Sequence, residues 1–173
     1  MDKIRFGVVG TNFITDWVIA GAREDERFCL SAVCSRTRER GEEFAAKHSI
    51  EHVFTSLEEM AASDKVDAIY IASSNYMHAE QSILCMNHGK HVLCEKPAAR
   101  LYEEALAMQE AQHRTGKILN IGVCNRYHAS VVKLEEKVRN GEFGDIYHVV
   151  CSFRAFGSED ADAEAQRFDV RFP

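Results

Sequence analysis

The segment Lys3–Gly21 constrains the fold more than any other, because an apolar run, a glycine turn and a helical pattern follow one another without interruption. The apolar run predicts a parallel strand buried on both faces, through Ile4, Phe6, Val8 and Val9. Apolar residues then recur at helical spacing, at Ile14, Trp17, Val18 and Gly21. A turn between such a strand and helix directs backbone N–H groups and a helix dipole at an anion. The expected anion is the pyrophosphate of a dinucleotide.

The turn matches the dinucleotide fingerprint G-x-G-x-x-G/A only in part. With Gly10 as the first glycine, Asn12 takes the place of the second and Thr15 that of the third. Asn is the best substitute for glycine if the position needs a positive φ. Taken alone, the motif also fits an ordinary strand-to-helix turn, and this alternative stays open.

Length and composition restrict the class of protein. A chain of 173 residues can form one domain, or one domain and a fragment of another. The net charge of −6 and the lack of a basic stripe argue against a nucleic-acid partner. No run of about 18 apolar residues indicates a membrane span, and the amino terminus enters a strand rather than a signal peptide. We therefore expect a soluble, cytoplasmic protein with no membrane partner.

Cysteines and histidines do not form a metal-binding pattern. No two of the six cysteines make a C-x-x-C pair, and most lie within apolar segments, where a free thiol packs as a small hydrophobic group. The histidines make neither an H-x-x-x-H pair nor an H-E-x-x-H motif. We assign no metal.

The end of the second predicted strand, Phe28–Cys34, bears on which dinucleotide is bound. At this point a Rossmann domain that binds NAD usually carries Asp or Glu, whereas this chain has Ser35 and Arg36. A guanidinium can pair with a 2′-phosphate or stack on adenine, so we favour NADP over NAD. The alternative is that Arg36 is a solvated loop charge. Thr37 is the predicted N-cap of a helix from Arg38 to about His48.

Two further strand ends carry candidate residues. A strand over Val66–Ala72 ends in Ser73, Ser74 and Asn75, whose polar groups are expected at the ligand crevice. It follows a short strand at Val53 and Phe54 and a helix capped by Ser56, and it precedes a helix over Met77–Asn87 that closes at Gly89.

The next strand, His91–Cys94, ends in Glu95-Lys96-Pro97. Pro97 fixes its own φ and keeps Lys96 out of helical geometry, which can direct the ammonium into the crevice. Lys96 can then exchange a proton with a hydroxyl or carbonyl oxygen while Glu95 holds it in place. The alternative is a salt-bridged surface turn.

The remaining pattern predicts four elements and an irregular tail. A helix from about Ala98 to Arg114 is expected to bury one face, formed by Leu101, Ala105, Met108 and Gln112. A strand over Ile118–Val123, a helix over Ser130–Arg139 and a long, half-exposed antiparallel strand over Asp145–Phe156 follow. The segment Ser158–Pro173 is acidic and reads as irregular.

Taken together, these segments resemble the amino-terminal part of the Gfo/Idh/MocA oxidoreductases, the glucose-fructose oxidoreductase and inositol dehydrogenase family. The resemblance runs from Ile4 to about Phe156 and rests on four segments: GVVGTNFIT, VCSRT, VDAIYIASSNYMHAEQSILCMNHGKHVLCEKPAA and NIGVCNRYHASVVKLEEKVRNGEFGDI. It implies an α/β fold: an NAD(P)-binding Rossmann domain with a doubly wound parallel sheet over residues 1–124. Residues 125–173 would begin a substrate and oligomerisation domain with a mostly antiparallel sheet.

The resemblance also implies a role for individual residues. The pyrophosphate would contact Gly10, Asn12, Phe13 and Ile14, although Asn12 departs from the family's commoner glycine. The adenosine end would contact Ser35 and Arg36. The far half of the cofactor would be lined by Ser73, Ser74, Asn75 and His78. Glu95 and Lys96 would meet the nicotinamide ribose and the substrate, with Asn125 and Arg126 near the nicotinamide.

The implied function is hydride transfer between NADP, or less favourably NAD, and a hydroxyl or carbonyl carbon of a sugar, cyclitol or related compound, with Lys96 as the catalytic residue. Family enzymes continue for about as long again, and their second domain supplies an Asp and a His that have no counterpart here. The alternative is therefore a truncated cofactor-binding module without turnover; a purely structural protein is the remaining reading. If the strand over Asp145–Phe156 is an unpaired edge, its exposed apolar residues predict a homo-oligomer.

Overall fold

The structure, a computed structural model, describes residues 3–153 and 166–171 of the chain. The chain divides into two compact units, Met1–Val123 and Cys124–Pro173, and each unit contains its own sheet. In the described residues, no helix has both the length and the apolar character needed to cross a membrane.

The first unit is built on six parallel strands, all of which the sequence pattern predicts. They are β1 Ile4–Val9, β2 Phe28–Cys34, β3 His52–Phe54, β4 Ala68–Ile71, β5 His91–Glu95 and β6 Leu119–Gly122. Their spatial order is β3-β2-β1-β4-β5-β6, the doubly wound Rossmann order. Because the order reverses between β1 and β4, the loops that follow these two strands diverge and leave a crevice at the carboxyl ends.

Five helices cover the sheet: α1 Phe13–Ala22, α2 Arg38–His48, α3 Leu57–Ala62, α4 His78–Asn87 and α5 Tyr102–Thr115. Both predicted N-caps are confirmed. Thr37 Oγ1 accepts from the N–H of Arg40, and Ser56 Oγ accepts from the N–H of Glu59. Gly89 follows α4 with a φ of +78°, as a C′ glycine requires.

The core forms two layers, because successive side chains of a strand point to opposite faces of the sheet. One layer packs β-strand residues such as Val9 and Ile71 against α3, α4 and α5. The other packs Val8, Val33 and Tyr70 against α1 and α2.

Three cysteines belong to the first of these layers: Cys34, Cys85 and Cys94. Burial raises the pKa of the Cys85 thiol to about 12 and that of the Cys34 thiol to about 11. These thiols therefore stay protonated and pack as small apolar groups, as predicted.

The predicted buried faces of β1 and α1 are partly wrong. Ile4 is 41% exposed, because only the carboxyl half of β1 is covered on both faces. Trp17 is 70% exposed, and α1 packs through Thr15 and Ile19 instead. The spacing of apolar residues could not predict which face of α1 is buried, because apolar residues surround most of the helix and more than one face fits the pattern.

The start and the buried face of α5 also differ from the prediction. The helix begins at Tyr102, because Glu104 Oε2 accepts from the N–H groups of Arg100 and Leu101 and so closes a capping turn. The predicted face is wrong at Leu101 and Ala105, which are exposed, whereas Met108 and Ala111 are buried.

The second unit contains the 3₁₀ turn Cys124–Tyr127, the helix α6 Ala129–Arg139, and the strands β7 His148–Phe153 and β8 Gln166–Arg171. The predicted antiparallel strand is confirmed over His148–Phe153, begins three residues later than predicted, and has its last three predicted residues, 154–156, outside the described residues. The prediction of an irregular tail is wrong at β8, and the rest of the tail lies outside the described residues. The strand β8 pairs with one edge of β7 along all six residues. A single short strand between polar residues gives little sequence signal. The pairing of β7 with β8 involves only one edge of each strand, so the homo-oligomer stays a prediction.

Candidate functional site

A crevice of about 450 Å³ opens at the carboxyl ends of β1, β2 and β4. Six residues predicted from the sequence line it: Gly10, Asn12, Ser35, Arg36, Ser73 and Ser74. No Asp or Glu is among the lining residues, although two arginines are. The crevice is therefore suited to an anionic ligand.

The turn after β1 depends on Gly10. Its φ is +100°, and a Cβ atom at this position would lie 2.5 Å from the carbonyl oxygen of Ala72. Both the backbone conformation and the close approach of β4 therefore exclude a larger residue.

Asn12 does not take the backbone conformation that its place in the fingerprint suggests. Its φ is −101°, so this position does not need the positive φ for which Asn would replace glycine. The side chain acts as an N-cap: Oδ1 accepts from the N–H groups of Ile14 (2.9 Å) and Thr15 (3.2 Å). Its Nδ2 donates to the carbonyl oxygen of Ala72 at 2.7 Å. Asn12 therefore joins the turn to β4 by hydrogen bonds.

Thr15, at the third fingerprint position, is completely buried, and its Oγ1 donates to the carbonyl oxygen of Gly10 at 3.0 Å. Within the described part of the chain, the N–H groups of Thr11, Asn12 and Phe13 have no acceptor. These three donors, at the positive end of α1, are the ones left for an anion.

The positive charge of the crevice lies beyond β2. Arg36 and Arg40 both line it, and neither guanidinium has an ion-pair or hydrogen-bond partner among the described residues. The neighbouring Arg38 differs, because it pairs with Glu42 at 3.7 Å. The backbone N–H of Ser35 donates to the carbonyl oxygen of Phe54, which ties this loop to β3.

His78 connects two loops at the edge of the crevice. The ring is 1% exposed, with Nδ1 2.7 Å from the carbonyl oxygen of Pro97 and Nε2 3.2 Å from that of Ser73. Ser73 Oγ also donates to Gln81 Oε1 at 2.6 Å. His78 is outside the crevice lining, as is the exposed Asn75.

The turn after β5 is anchored by Glu95. Its Oε1 accepts from the hydroxyl of Tyr70 (2.9 Å) and its Oε2 from the backbone N–H of Lys96 (3.1 Å). The Lys96–Pro97 bond is cis. The Lys96 side chain is exposed, and its ammonium forms no ion pair with any described residue. The expectation that Glu95 holds the Lys96 ammonium is therefore wrong, because Glu95 binds the backbone N–H of Lys96 instead.

Two further predicted residues of the first unit, Phe13 and Ile14, lie outside the crevice lining. The Phe13 ring is 61% exposed and stands edge-on to Trp17, with 5.2 Å between the ring centroids. Ile14 is half-buried in α1. Asn125 and Arg126 are exposed in the 3₁₀ turn of the second unit.

Several lining residues were not predicted: Thr11, Arg40, Thr55, Leu57, Tyr76, Met77 and Gln81. Arg40 had a usable signal, since it lies in the first helical turn after a candidate strand end. Gln81 had none, because its position depends on how α4 is rotated against the sheet.

Known proteins resemble this chain in sequence and structure. Residues 4–123 match the family model GFO_IDH_MocA, described as an oxidoreductase family with an NAD-binding Rossmann fold. A scyllo-inositol 2-dehydrogenase (NADP(+)), IolU of Bacillus subtilis (strain 168), is 54% identical over 116 residues, which are 67% of this chain and 35% of the relative. A 1,5-anhydro-D-fructose reductase of Ensifer adhaerens is 33% identical over 141 residues, 81% of this chain and 42% of the relative.

Among solved structures, the WlbA dehydrogenase from Bordetella pertussis, in complex with NADH and UDP-GlcNAcA, has a TM-score of 0.81 at 30% identity. The alignment covers 87% of this chain and 43% of the WlbA chain. The chain thus spans less than half the length of each of these three proteins. With the family model matched over the whole parallel sheet, the chain belongs to the GFO_IDH_MocA family of oxidoreductases with an NAD-binding Rossmann fold.

Proposed function

We propose that this chain forms the dinucleotide-binding part of an oxidoreductase that acts on a sugar, a cyclitol or a related hydroxyl compound, with NADP as the preferred cofactor. The observation that carries the proposal is the Gly10 turn, where three unpaired N–H groups at the start of α1 meet a crevice free of carboxylates. The relatives named above are dehydrogenases and reductases of such compounds.

The residues of the crevice fit a dinucleotide. A pyrophosphate would be held by the N–H groups of Thr11, Asn12 and Phe13, and Gly10 would contribute by forming the tight turn that presents them. Ile14 would contribute through the helix dipole, since its N–H group already binds Asn12.

The preference for NADP rests on Arg36 and Arg40. Two guanidinium groups without carboxylate partners offer a 2′-phosphate charge-assisted hydrogen bonds, and Ser35 adds a hydroxyl beside them. An Asp or Glu that would bind an unmodified ribose is absent from the lining. The far half of the cofactor would contact Ser73 and Ser74, in a loop that His78 holds and Asn75 extends.

The catalytic group is Lys96. A bound nicotinamide supplies the site that gives or takes a hydride. Lys96 would donate a proton to, or accept one from, the oxygen of the substrate's carbonyl or hydroxyl group. We further propose that residues 125–173 begin the substrate domain, with Asn125 and Arg126 near the nicotinamide, and that Glu95 contacts the nicotinamide ribose.

Isothermal titration calorimetry with NADP and NAD tests the binding site. We expect tighter binding of NADP, and a loss of roughly 10- to 150-fold in NADP affinity in Arg36→Ala and in Arg40→Ala, because each removes a charge-assisted hydrogen bond worth on the order of 1.5–3 kcal/mol. Arg38→Ala is the matched control, since Arg38 pairs with Glu42. Equal or tighter binding of NAD would contradict the preference for NADP.

Turnover of scyllo-inositol and a panel of sugars tests the catalytic assignment. Lys96→Ala should abolish turnover and leave dinucleotide binding largely intact, whereas Lys65→Ala, which removes an exposed ammonium paired with Asp64, should change neither. Dinucleotide binding without turnover in the unaltered chain would favour a cofactor-binding module. Unchanged turnover in Lys96→Ala would remove Lys96 from the mechanism.

A further inference from the structure

Tyr70 contacts the turn that carries Lys96 from a neighbouring strand. The ring is 2% exposed in β4, and its hydroxyl donates to Glu95 Oε1 at 2.9 Å. In the parallel register Tyr70 pairs with Leu93, two residues before Glu95, so all three side chains lie on one face of the sheet. The phenol therefore extends along the sheet toward its carboxyl edge, where Lys96 follows.

The carboxylate of Glu95 is confined on its other side by β6. Gly122 pairs with Glu95, and a Cβ atom added to Gly122 would lie 3.0 Å from Glu95 Oε1. A methyl group there would compete for the space that the carboxylate occupies. Glu95 is thus held between the hydroxyl of Tyr70 and the backbone of Gly122.

The second oxygen of the Glu95 carboxylate, Oε2, connects the fixed carboxylate to the backbone of Lys96. Glu95 Oε2 accepts from the N–H of Lys96 at 3.1 Å, so the two oxygens connect a buried phenol to the backbone of the turn. Burial and the Glu95 carboxylate raise the pKa of Tyr70, so its hydroxyl keeps its proton and acts as the donor.

We propose that Tyr70 is a positioning residue for Lys96: by fixing the Glu95 carboxylate, it holds the backbone from which the Lys96 side chain projects. The inference rests on the proposed role of Lys96. It adds a specific mechanical requirement, namely a phenol on β4 and a glycine on β6.

Amide hydrogen exchange, followed by NMR in the absence of any ligand, tests the contact directly. In Tyr70→Phe we expect the Lys96 amide to exchange about tenfold faster, because the carboxylate that accepts from it loses its anchor. Ile50→Val is the matched control: it removes a methylene from the same packed layer without touching Glu95. Ile50→Val should change the exchange rate of the Lys96 amide no more than it changes the rates of other amides in the sheet.

Two further variants separate positioning from a general loss of stability. Gly122→Ala should also speed exchange at Lys96, since it displaces the same carboxylate from the other side. In a Glu95→Ala background, Tyr70→Phe should have no further effect at Lys96. A Lys96 amide that responds to Tyr70→Phe no more than to Ile50→Val, or a response that persists in Glu95→Ala, would overturn the proposal.

Turnover measurements test separately whether Tyr70 positions Lys96 for catalysis. If Lys96→Ala abolishes turnover, Tyr70→Phe should lower kcat by about tenfold and change the Kd for the dinucleotide by a smaller factor, because Glu95 is one of many proposed dinucleotide contacts whereas Lys96 handles the proton. An unchanged kcat in Tyr70→Phe would overturn positioning for catalysis. The alternative outcome is that Lys96→Ala keeps its turnover while exchange at Lys96 is faster in Tyr70→Phe and in Gly122→Ala. That result would contradict the proposed catalytic role of Lys96, but it would support the contacts from Tyr70 through Glu95 to the Lys96 backbone.

Discussion

The side-chain amide of Asn12 donates to the carbonyl oxygen of Ala72 at 2.7 Å and so joins two crevice-lining loops that are 60 residues apart in sequence. The same side chain caps α1 through two further hydrogen bonds. In this chain, a side chain therefore fixes the loops at a fingerprint position that usually carries glycine. The contribution of the Asn12 side chain can be measured as a change in the free energy of unfolding.

Asn12→Ala should lower the free energy of unfolding by about 1–2 kcal/mol, the usual cost of losing an N-cap, with the contact to Ala72 placing it at the upper end. Urea denaturation measures the difference. Ser56→Ala is the matched control, since Ser56 caps α3 through one hydrogen bond. An equal loss in the two variants would show that the Ala72 contact contributes nothing.

Gly10→Ala should destabilise the chain by about 1–3 kcal/mol from backbone strain at positive φ, and by more where the new methyl group meets Ala72. The control is Gly21→Ala in α1, where a Cβ atom meets nothing within 4 Å. This change should stabilise by about 0.5–1 kcal/mol, because alanine favours the helix. Thermal unfolding of both variants checks the opposite signs; a Gly10→Ala protein as stable as the unaltered chain would contradict the close approach.

His78→Ala should cost about 2–4 kcal/mol, because it empties a buried site and leaves the carbonyl oxygens of Ser73 and Pro97 without their ring partner. Chemical denaturation provides the measurement. His88→Ala, at an exposed position after α4, should change stability by less than about 0.5 kcal/mol. Similar losses in the two variants would argue against His78 as a connection between the loops.

Asp67 should make stability depend on acid pH. The Arg5 guanidinium binds this carboxylate and lowers its pKa to about 2. A lowered folded-state pKa stabilises the fold above the unfolded pKa, and this stabilisation is lost as the pH falls from about 4 to about 2. Unfolding free energies measured across this range should therefore fall less steeply in Asp67→Asn than in the unaltered chain.

Asp25→Asn is the control for this titration. The pKa of Asp25 is also about 2, but its partner Arg27 is two residues away, so the pair can persist in the unfolded chain. Arg5 and Asp67 are 62 residues apart and meet only on folding. A larger pH effect from Asp25→Asn than from Asp67→Asn would contradict this argument.

The strands and helices of the first unit could be predicted because their boundaries carry local chemistry. Thr37 and Ser56 mark helix starts, and Gly89 marks a helix end with a positive φ. The ends of parallel strands meet at one edge of the sheet, so the crevice positions Gly10, Ser35 and Ser73 followed from the predicted strands alone. Such signals depend on a few adjacent residues.

The orientation of side chains could not be predicted as well. Apolar residues surround much of α1, and only packing against the sheet selects Ile19 over Trp17 for burial. The side-chain amide of Asn12 donates to the carbonyl oxygen of Ala72, 60 residues away, a contact that no local pattern encodes. Gln81 reaches the crevice through the rotation of α4, which is also a tertiary property.

The exposed ring pair of Phe13 and Trp17 gives the chain an intrinsic optical reporter. Trp17 is the one tryptophan in the sequence, and it lies one helical turn beyond the donors of the Gly10 turn. Its emission therefore comes from a single known place, beside the proposed pyrophosphate site. Emission of tryptophan overlaps the absorption of reduced nicotinamide, so arrival of the reduced dinucleotide should quench the indole by energy transfer, without any introduced label.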